Sequence, residues 1–167
     1  VANRGVAIII PAKNEAPRIG AVIEAALQAK LANEVIVVSD GSTDNTEQWL
    51  QQQPGIDFIT QKNVGSSGGF STGLNWAFKN GYTWMWCMDD DGYPKEDALE
   101  KILEPETDLL CLRNCAVLNK EDKKTFVWKT KNYTTINDVD TKLIEGIGHP
   151  FNGTMIHRNI VERVGTP

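Results

Sequence analysis

The 167-residue sequence lacks an excess of positive charge and lacks any long apolar run. Its formal net charge is −5, whereas a protein that binds the phosphate backbone of a nucleic acid needs clustered Lys and Arg. A helix needs roughly 20 apolar residues to cross a bilayer, and the first residues do not form a signal peptide. We therefore expect neither a nucleic-acid partner nor a transmembrane segment. Val1 in place of an initiator Met is typical of an excerpt.

Cysteine and histidine are scarce as well. Cys87, Cys111 and Cys115 are odd in number and lie in apolar runs. They are therefore expected to be small buried thiols in a reducing compartment, which favours the cytoplasm, and not a disulfide framework or a zinc site. His149 and His157 have no visible partner for proton transfer, so we expect structural or surface roles for both.

The two commonest nucleotide-binding signatures are also missing. The glycine-rich segment 65–69 has neither the Lys of a Walker A loop nor the spacing of a dinucleotide-binding motif. Its glycines could still bring backbone N–H groups close to a phosphate or a sugar. A flexible loop without a ligand is the alternative interpretation.

The sequence does contain a regular alternation of apolar runs and amphipathic segments before Pro105. The runs that predict strands are 6–10, 35–38, 56–60 and 82–88. The segments that predict helices begin near Pro17, Asp44, Gly69 and Pro94. This order predicts an α/β fold with a Rossmann-like, mainly parallel sheet, right-handed crossovers and flanking helices.

Local signals refine the predicted helices. Asp44 with Glu47 three residues later predicts a capping pair for the second helix, and Gly81 is predicted to follow the end of the third. The apolar stripe predicted for the first helix comprises Ile19, Val22, Ile23, Ala26 and Leu27. The aromatic residues expected in the core are Phe78, Trp84 and Trp86.

The pattern changes beyond Pro105. Residues 109–118 predict one long or two short strands, and 125–128 predict a hairpin partner across a polar turn. Residues 154–157 predict a last strand, and a short helix that ends at Gly165 follows it. Because no repeat, low-complexity tract or linker is present, one domain is expected.

A polar cluster follows each of the first four predicted strands. These clusters are 11–15, 40–44, 63–69 and 89–92. Ligands of open parallel sheets bind beyond the carboxyl ends of the strands. The four clusters are therefore expected to converge on one edge and form a binding site.

The run Asp89-Asp90-Asp91 is the most informative of these clusters. Three adjacent carboxylates are costly to keep ionised unless a cation lies close, and Asp89 and Asp91 can point the same way on an extended chain. Mg²⁺ or Mn²⁺ takes one or two protein carboxylates and completes its shell with diphosphate oxygens. The alternative is an acidic turn that stabilises the helix predicted from Pro94.

Asp40, at the end of the second strand, is a second candidate. Its carboxylate could accept hydrogen bonds from a nucleobase or a ribose. A turn residue in the ordinary turn sequence Asp-Gly-Ser is the alternative, and the residues alone leave both open.

Several of these segments together resemble a known family. Segments 9–15, 37–44 and 88–92 resemble the family 2 glycosyltransferases of the GT-A fold. Segments 63–70 and 151–158 are similar to the galactofuranosyl- and rhamnosyl-transferase branch. The resemblance covers nearly the whole chain. It implies that 1–104 forms the nucleotide-sugar-binding half and that 105–167 begins an acceptor-side half that is incomplete.

The resemblance also implies roles for individual residues. Asp40 corresponds to the base- or ribose-binding Asp, and Asp91, with Asp89, to the ligands of Mn²⁺ or Mg²⁺ in a DXD motif. Residues 152–154 correspond to a segment that closes the donor and acceptor pocket. The implied contacts with the sugar donor are Pro11, Ala12, Glu15, Asp40, Asn63, Gly68, Gly69, Asp89, Asp90, Asn152 and Gly153.

The implied reaction is a single inverting displacement. A UDP- or dTDP-sugar is the expected donor, and a glycan or lipid-linked acceptor of cell-envelope polysaccharide synthesis is the expected partner. Peripheral association with the inner face of the plasma membrane is compatible with such an acceptor. The sequence contains no convincing catalytic base, which is expected beyond Pro167.

Two other functions remain open at this point. A sugar-phosphate nucleotidyltransferase has a related sheet, but segment 11–15 lacks the glycine-rich, basic loop that usually follows its first strand. A donor-binding fragment without turnover is the non-enzyme alternative, because the catalytic base is missing.

Overall fold

The computed structural model of the chain describes residues 4–105, 108–149 and 151–167. The strands are β1 (Val6–Ala12), β2 (Ala32–Asp40), β3 (Asp57–Gln61), β4 (Trp84–Cys87), β5 (Arg113–Asn114), β6 (Thr125–Thr130), β7 (Tyr133–Thr135) and β8 (Thr154–His157). The helices are α1 (Ile19–Gln28), α2 (Thr46–Gln51), α3 (Gly65–Lys79), α4 (Ala98–Leu103) and α5 (Arg158–Val164), with a 3-10 turn at Ile136–Asp138. No helix in the described ranges is long and apolar enough to cross a bilayer.

The main sheet has six strands in the order β3-β2-β1-β4-β8-β5. β1 pairs in parallel with both β2 and β4, and β2 pairs in parallel with β3. β8 runs antiparallel to β4 and to β5, while β6 and β7 form a separate two-stranded sheet. The predicted α/β fold with a mainly parallel sheet is thus confirmed.

The central strand β1 is buried along its whole length. Side chains of successive residues point to opposite faces of a sheet, so Ile8 packs in the core layer that contains α1, and Ile9 packs in the layer that contains α3. The approach of α3 to β1 needs glycine at Gly73, where a Cβ would lie 2.3 Å from Ile9 Cγ2. The expected core aromatics Phe78, Trp84 and Trp86 all pack against these layers.

Several predicted helix starts are wrong. Pro17 and Pro94 lie in the preceding loops, because α1 begins at Ile19 and α4 begins only at Ala98. In the first case the Glu15 carbonyl accepts from Ile19 N–H at 2.8 Å, so Pro17 lies inside the turn that leads into α1.

Two other features of the helices differ from prediction. Asp44 accepts from the Thr46 backbone N–H at 3.0 Å. However, Glu47 bonds Ser39 Oγ at 2.7 Å instead of reaching back to the helix start, so the capping pair is incomplete. Leu27, which was predicted in the apolar stripe, is 57% exposed and lies outside the buried face of α1.

The structure of the C-terminal third agrees only in part with the elements predicted from the sequence. Residues 109–118 contain one short strand, β5, and an isolated bridge from Leu118 to Phe126. Segment 125–128 extends into β6, whose main partner is β7. The last strand and helix are confirmed, and Gly165 follows α5 with φ 80°. Of the cysteines, Cys87 is buried and Cys115 half-buried, but Cys111 is exposed, against expectation.

Candidate functional site at the carboxyl ends of the strands

The loops after β1 and β2 are joined by an asparagine. Asn14, in the left-handed region with φ 59°, is one of the few residue types that adopt this conformation at low cost. Its Oδ1 accepts from Thr43 N at 2.7 Å and from Asp44 N at 3.3 Å. Its own N–H donates to Ser42 Oγ at 3.1 Å. Two of the four predicted clusters therefore form one rigid unit.

The same β1 loop reaches the acidic turn 89–92. The Lys13 backbone lies close enough to the Asp90 carboxylate to oppose the rise in its pKa. Glu15 is buried, and its carboxylate pairs with Arg18 through Nε at 2.7 Å and through a terminal guanidinium nitrogen at 2.5 Å. The predicted residue Glu15 thus lies beside the acidic turn, but its oxygens are held by Arg18.

The acidic turn is electrostatically unfavourable when fully ionised. Burial, then the charges of Glu15 and Asp91, raise the pKa of Asp90 to about 6. Burial, then the charge of Asp91, also raises the pKa of Asp89. These directions agree with the expectation that the carboxylates oppose one another without a cation.

Arg18 is a functional candidate that the sequence reasoning missed. Its pKa is raised first by Glu15, and Asp90 and Asp91 contribute in the same direction, so the guanidinium lies within the field of the acidic turn. The available signal was the spacing of Glu15 and Arg18, three residues apart in the turn that leads into α1.

The acidic turn offers the ligand chemistry that a hard divalent cation prefers. In the ranges described, no three His, Cys, Asp or Glu side chains are arranged to hold a metal ion by themselves. Mg²⁺ commonly uses one or two carboxylates and takes its other ligands from water and phosphate oxygens. The residues present therefore fit an ion that is shared with a bound diphosphate.

Asp40 is engaged with the protein itself. The side chain is 4% exposed, and its carboxylate accepts from Gln61 Nε2 at 2.7 Å, Val64 N at 2.9 Å and Gly65 N at 2.8 Å. Burial is the largest influence on its pKa and raises it, but these hydrogen bonds outweigh burial and lower the pKa overall. Asp40 therefore stabilises the start of α3. A contact between Asp40 and a nucleobase is a proposal.

The glycine-rich segment is part of a helix and not a loop. It forms the first turns of α3, where a Cβ at Gly69 would lie 2.7 Å from Pro11 Cβ, and one at Gly68 would lie 2.4 Å from Val64 Cγ2. Asn63 Oδ1 accepts from Gly65 N at 3.1 Å. Gly69 thus serves close packing against β1, because the helix lies directly over the strand end.

The segment after Phe151 lies beside the acidic turn. Asn152 Oδ1 accepts from Asp89 N at 3.4 Å, and Gly153 N donates to the Cys87 carbonyl at 2.9 Å. The Phe151 ring stacks on Phe70 with 4.5 Å between ring centroids. These contacts join the C-terminal third to the end of β4.

The remaining candidates are placed as follows. Pro11 and Ala12 are buried, so a ligand could meet their backbone more readily than their side chains. His157 is structural: it is buried, and its Nδ1 accepts from Asn159 N at 3.2 Å at the start of α5. The His149 ring stacks on Trp128 with 6.0 Å between centroids.

The sequence also matches known proteins. The family described as Glycosyl transferase family 2 matches residues 7–165. Galactofuranosyltransferase GlfT1 of Mycobacterium tuberculosis is 25% identical over 154 residues, which cover 84% of this chain and 51% of that protein. The chain therefore spans about half the length of this relative.

Two solved structures share the fold. Mannosyltransferase PcManGT from Pyrobaculum calidifontis has a TM-score of 0.61 at 21% identity, over 99% of this chain and 48% of its own. Glucosyl-3-phosphoglycerate synthase from Mycobacterium tuberculosis has a TM-score of 0.53 at 21% identity, over 65% of this chain and 42% of its own. Because the family match extends over nearly the whole sequence, the chain belongs to glycosyl transferase family 2.

Proposed function

We propose that the chain is the donor-binding half of a metal-dependent, inverting glycosyltransferase. In this proposal a sugar is transferred from a nucleotide diphosphate sugar to a glycan or lipid-linked acceptor. The observation that carries it is the meeting of the β1, β2 and β3 loops with the acidic turn at one sheet edge, in a chain of this family.

The proposed metal ligands are Asp91 and Asp89, and Mn²⁺ or Mg²⁺ is the proposed ion. The raised pKa of Asp89 and of Asp90 supports a site that gains from a cation. Two related structures also support it: PcManGT was solved in complex with GDP-Man and Mn²⁺, and glucosyl-3-phosphoglycerate synthase with Mn²⁺ and UDP. When bound, such an ion supplies charge stabilisation to a departing diphosphate.

The chain's own residues have three further tasks in this proposal. Asp40 and Asn63 hold the start of α3 beside the nucleoside pocket, and the backbone of Pro11 and Ala12 lines that pocket. Gly68 and Gly69 keep side chains out of the donor's path, while Asn152 and Gly153 bound the site next to Asp89. The nucleotide proposed for the donor is UDP or dTDP.

The acceptor hydroxyl needs a general base in a single displacement. We assign it to no described residue, and we place it beyond Pro167. The relative GlfT1 is about twice as long as the matched part, which supports this placement. Donor binding is thus the activity expected of residues 1–167, and turnover is expected only of a longer chain.

The test is calorimetric titration with UDP, dTDP and GDP, each with Mn²⁺ and with a chelator. We expect binding that requires Mn²⁺ and is lost in Asp91→Ala. Asp97→Ala is the matched control, because Asp97 is an acidic residue of the same region that pairs with Lys101 at 2.6 Å at the surface. Equal affinity of Asp91→Ala and the control would contradict the assignment.

A further inference from the structure

Arg18 lies in the loop that follows β1, beside the acidic turn 89–92. β1 and β4 are neighbouring strands, with Ile9 opposite Cys87. Met88 N continues this pairing with a hydrogen bond of 2.9 Å to the Ile9 carbonyl. The loop that carries Arg18 and the acidic turn therefore continue from adjacent strand ends.

The guanidinium of Arg18 is held along one edge by Glu15. Its Nε and Nη2 atoms donate to the two Glu15 oxygens at 2.7 Å and 2.5 Å. Glu15 is fixed in turn, because its side chain is only 9% exposed and its N–H donates to Thr46 Oγ1 at 2.9 Å. The Arg18 side chain is 61% exposed. The pair thus anchors its carboxylate in the protein and presents its cation at the surface.

The opposite edge of the guanidinium faces no protein acceptor. Among the described residues, Arg18 makes no side-chain hydrogen bond other than the two to Glu15. An arginine carries its N–H donors in a planar fork, so the edge formed by Nη1 and Nη2 keeps its donors when Nε and Nη2 are paired. Two parallel hydrogen bonds from such an edge match the oxygens of a phosphate.

The charges around the acidic turn favour a phosphate contact at Arg18. The three carboxylates of 89–91 outweigh one divalent ion, so a diphosphate bound to that ion still meets net negative charge. Glu15 makes the largest contribution to the raised pKa of Arg18, and two carboxylates of the turn add smaller ones. Arg18 therefore supplies positive charge within the field of the turn.

We propose that Arg18 binds the diphosphate of the sugar donor. Its Nη1 and Nη2 groups donate to phosphate oxygens, while Nε and Nη2 remain paired with Glu15. This inference rests on the proposed function, because it needs a nucleotide diphosphate at the acidic turn. It assigns the diphosphate a contact with the protein besides the ion.

The test compares Arg18→Gln with the wild type in two binding measurements. Calorimetry at saturating Mn²⁺ gives the affinity for the nucleotide, taken as the one of UDP, dTDP and GDP that the wild type binds most tightly. Electron paramagnetic resonance of free Mn²⁺ gives the affinity for the ion alone. Lys101→Gln is the matched control, because Lys101 is also an exposed cation paired with a carboxylate, Asp97, at 2.6 Å.

We expect Arg18→Gln to bind the nucleotide about ten- to a hundredfold more weakly, the range of a hydrogen bond to a charged group. It should bind Mn²⁺ alone at least as tightly as the wild type, because a positive charge near the acidic turn has been removed. Lys101→Gln should change neither affinity. If Arg18 served only to maintain the fold, both affinities would fall together.

Two further variants cover the case in which Arg18→Gln leaves Glu15 buried and unpaired and does not fold. The double variant Glu15→Gln with Arg18→Gln removes one charge of each sign, so the net charge is unchanged. Its nucleotide binding should still be weaker than that of the wild type, because the phosphate contact is missing. Arg18→Lys should recover only part of the loss, because an ammonium has no planar fork that serves Glu15 and a phosphate at once.

Two results would overturn the proposal: a nucleotide affinity of the Arg18 variants equal to that of Lys101→Gln, or a parallel loss of Mn²⁺ affinity. Both results leave the proposed function standing, since the wild type still binds the nucleotide with Mn²⁺. Failure of the wild type to bind any of the three nucleotides with Mn²⁺ contradicts the proposed function, and the Arg18 contact with it.

Discussion

Replacement of Asp40 by alanine removes the acceptor of three hydrogen bonds at the start of α3. Gln61 Nε2, Val64 N and Gly65 N all donate to this carboxylate within 2.9 Å. If Asp40 only touched a ligand, its loss would leave the fold intact. Because it also holds the β3–α3 connection, we expect a stability loss in the absence of any nucleotide.

The size of this loss in stability follows from the hydrogen bonds that the alanine cannot accept and from those that the β3–α3 connection keeps. A hydrogen bond to a charged group contributes about 1.5–3 kcal/mol, and loss of a helix cap costs about 0.5–2 kcal/mol. The loss is reduced here, because Gly65 N still donates to Asn63 Oδ1 at 3.1 Å. Residues 63–65 are also exposed, so water can accept from the N–H groups that lose Asp40. We expect about 2 kcal/mol for Asp40→Ala, which lowers the melting temperature of a chain of this size by about 4–8 °C.

The assay is thermal unfolding with Asp57→Ala as the matched control, since Asp57 is exposed at the start of β3. The pKa of Asp40 is lowered from 3.8 in the folded chain. Its stabilisation is therefore complete above about pH 3.8 and is lost as the pH falls through the folded pKa. The gap between wild type and Asp40→Ala should shrink over that range. A melting temperature equal to that of Asp57→Ala at neutral pH would contradict a structural role of Asp40 at the start of α3.

Two further predictions concern packing and thiol accessibility. Gly73→Ala places a Cβ 2.3 Å from Ile9 Cγ2 in the core. We expect a loss of about 1–3 kcal/mol in denaturant unfolding. Gly68→Ala meets only the exposed Val64 and should be neutral or better, so equal losses in both variants would contradict the packing argument. In the native chain, Cys111 should react rapidly with a thiol reagent at neutral pH, whereas Cys87 and Cys115 should react only on unfolding. Burial, the largest influence on Cys115, raises the pKa of its thiol to about 12. Fast reaction of all three would contradict it.

The sequence predicted those parts of the fold that depend on strong apolar runs. β1 and β8 were found where they were expected, because an uninterrupted run such as 6–10 fits only a strand covered on both faces. Helix starts were predicted less well, since Pro17 and Pro94 are compatible with a helix but do not require one there. The sequence left a flexible loop open for the glycine-rich segment 65–69, whereas in the structure this segment is helical and Gly69 packs against Pro11.

The sequence predicted which loops form the site but not the hydrogen bonds and ion pair that join them. Strand ends determine which segments meet, and that follows from the order of elements. Two contacts of the site depend on loop conformations that the local sequence does not determine. One is the hydrogen bond from Val64 N to Asp40, and the other is the pairing of Arg18 with the Glu15 carboxylate. The resemblance assigned Asp40 to a ligand, and the structure adds three protein donors to the same carboxylate.

The two sides of the site differ in how completely their polar groups are paired. On the β2 and β3 side, Asn14 joins the β1 and β2 loops, and Asp40 joins β2 to α3 through hydrogen bonds of ordinary length. On the β4 side, Asp89 and Asp90 carry raised pKa values, and Asn152 contributes only a 3.4 Å contact to a backbone N–H. The side whose polar groups are already hydrogen-bonded needs no ligand to be ordered. The crowded carboxylates of the other side are the groups that a bound cation would stabilise most. Under the proposed function, the nucleoside meets a surface that is already ordered, and the ion and diphosphate complete the acidic turn.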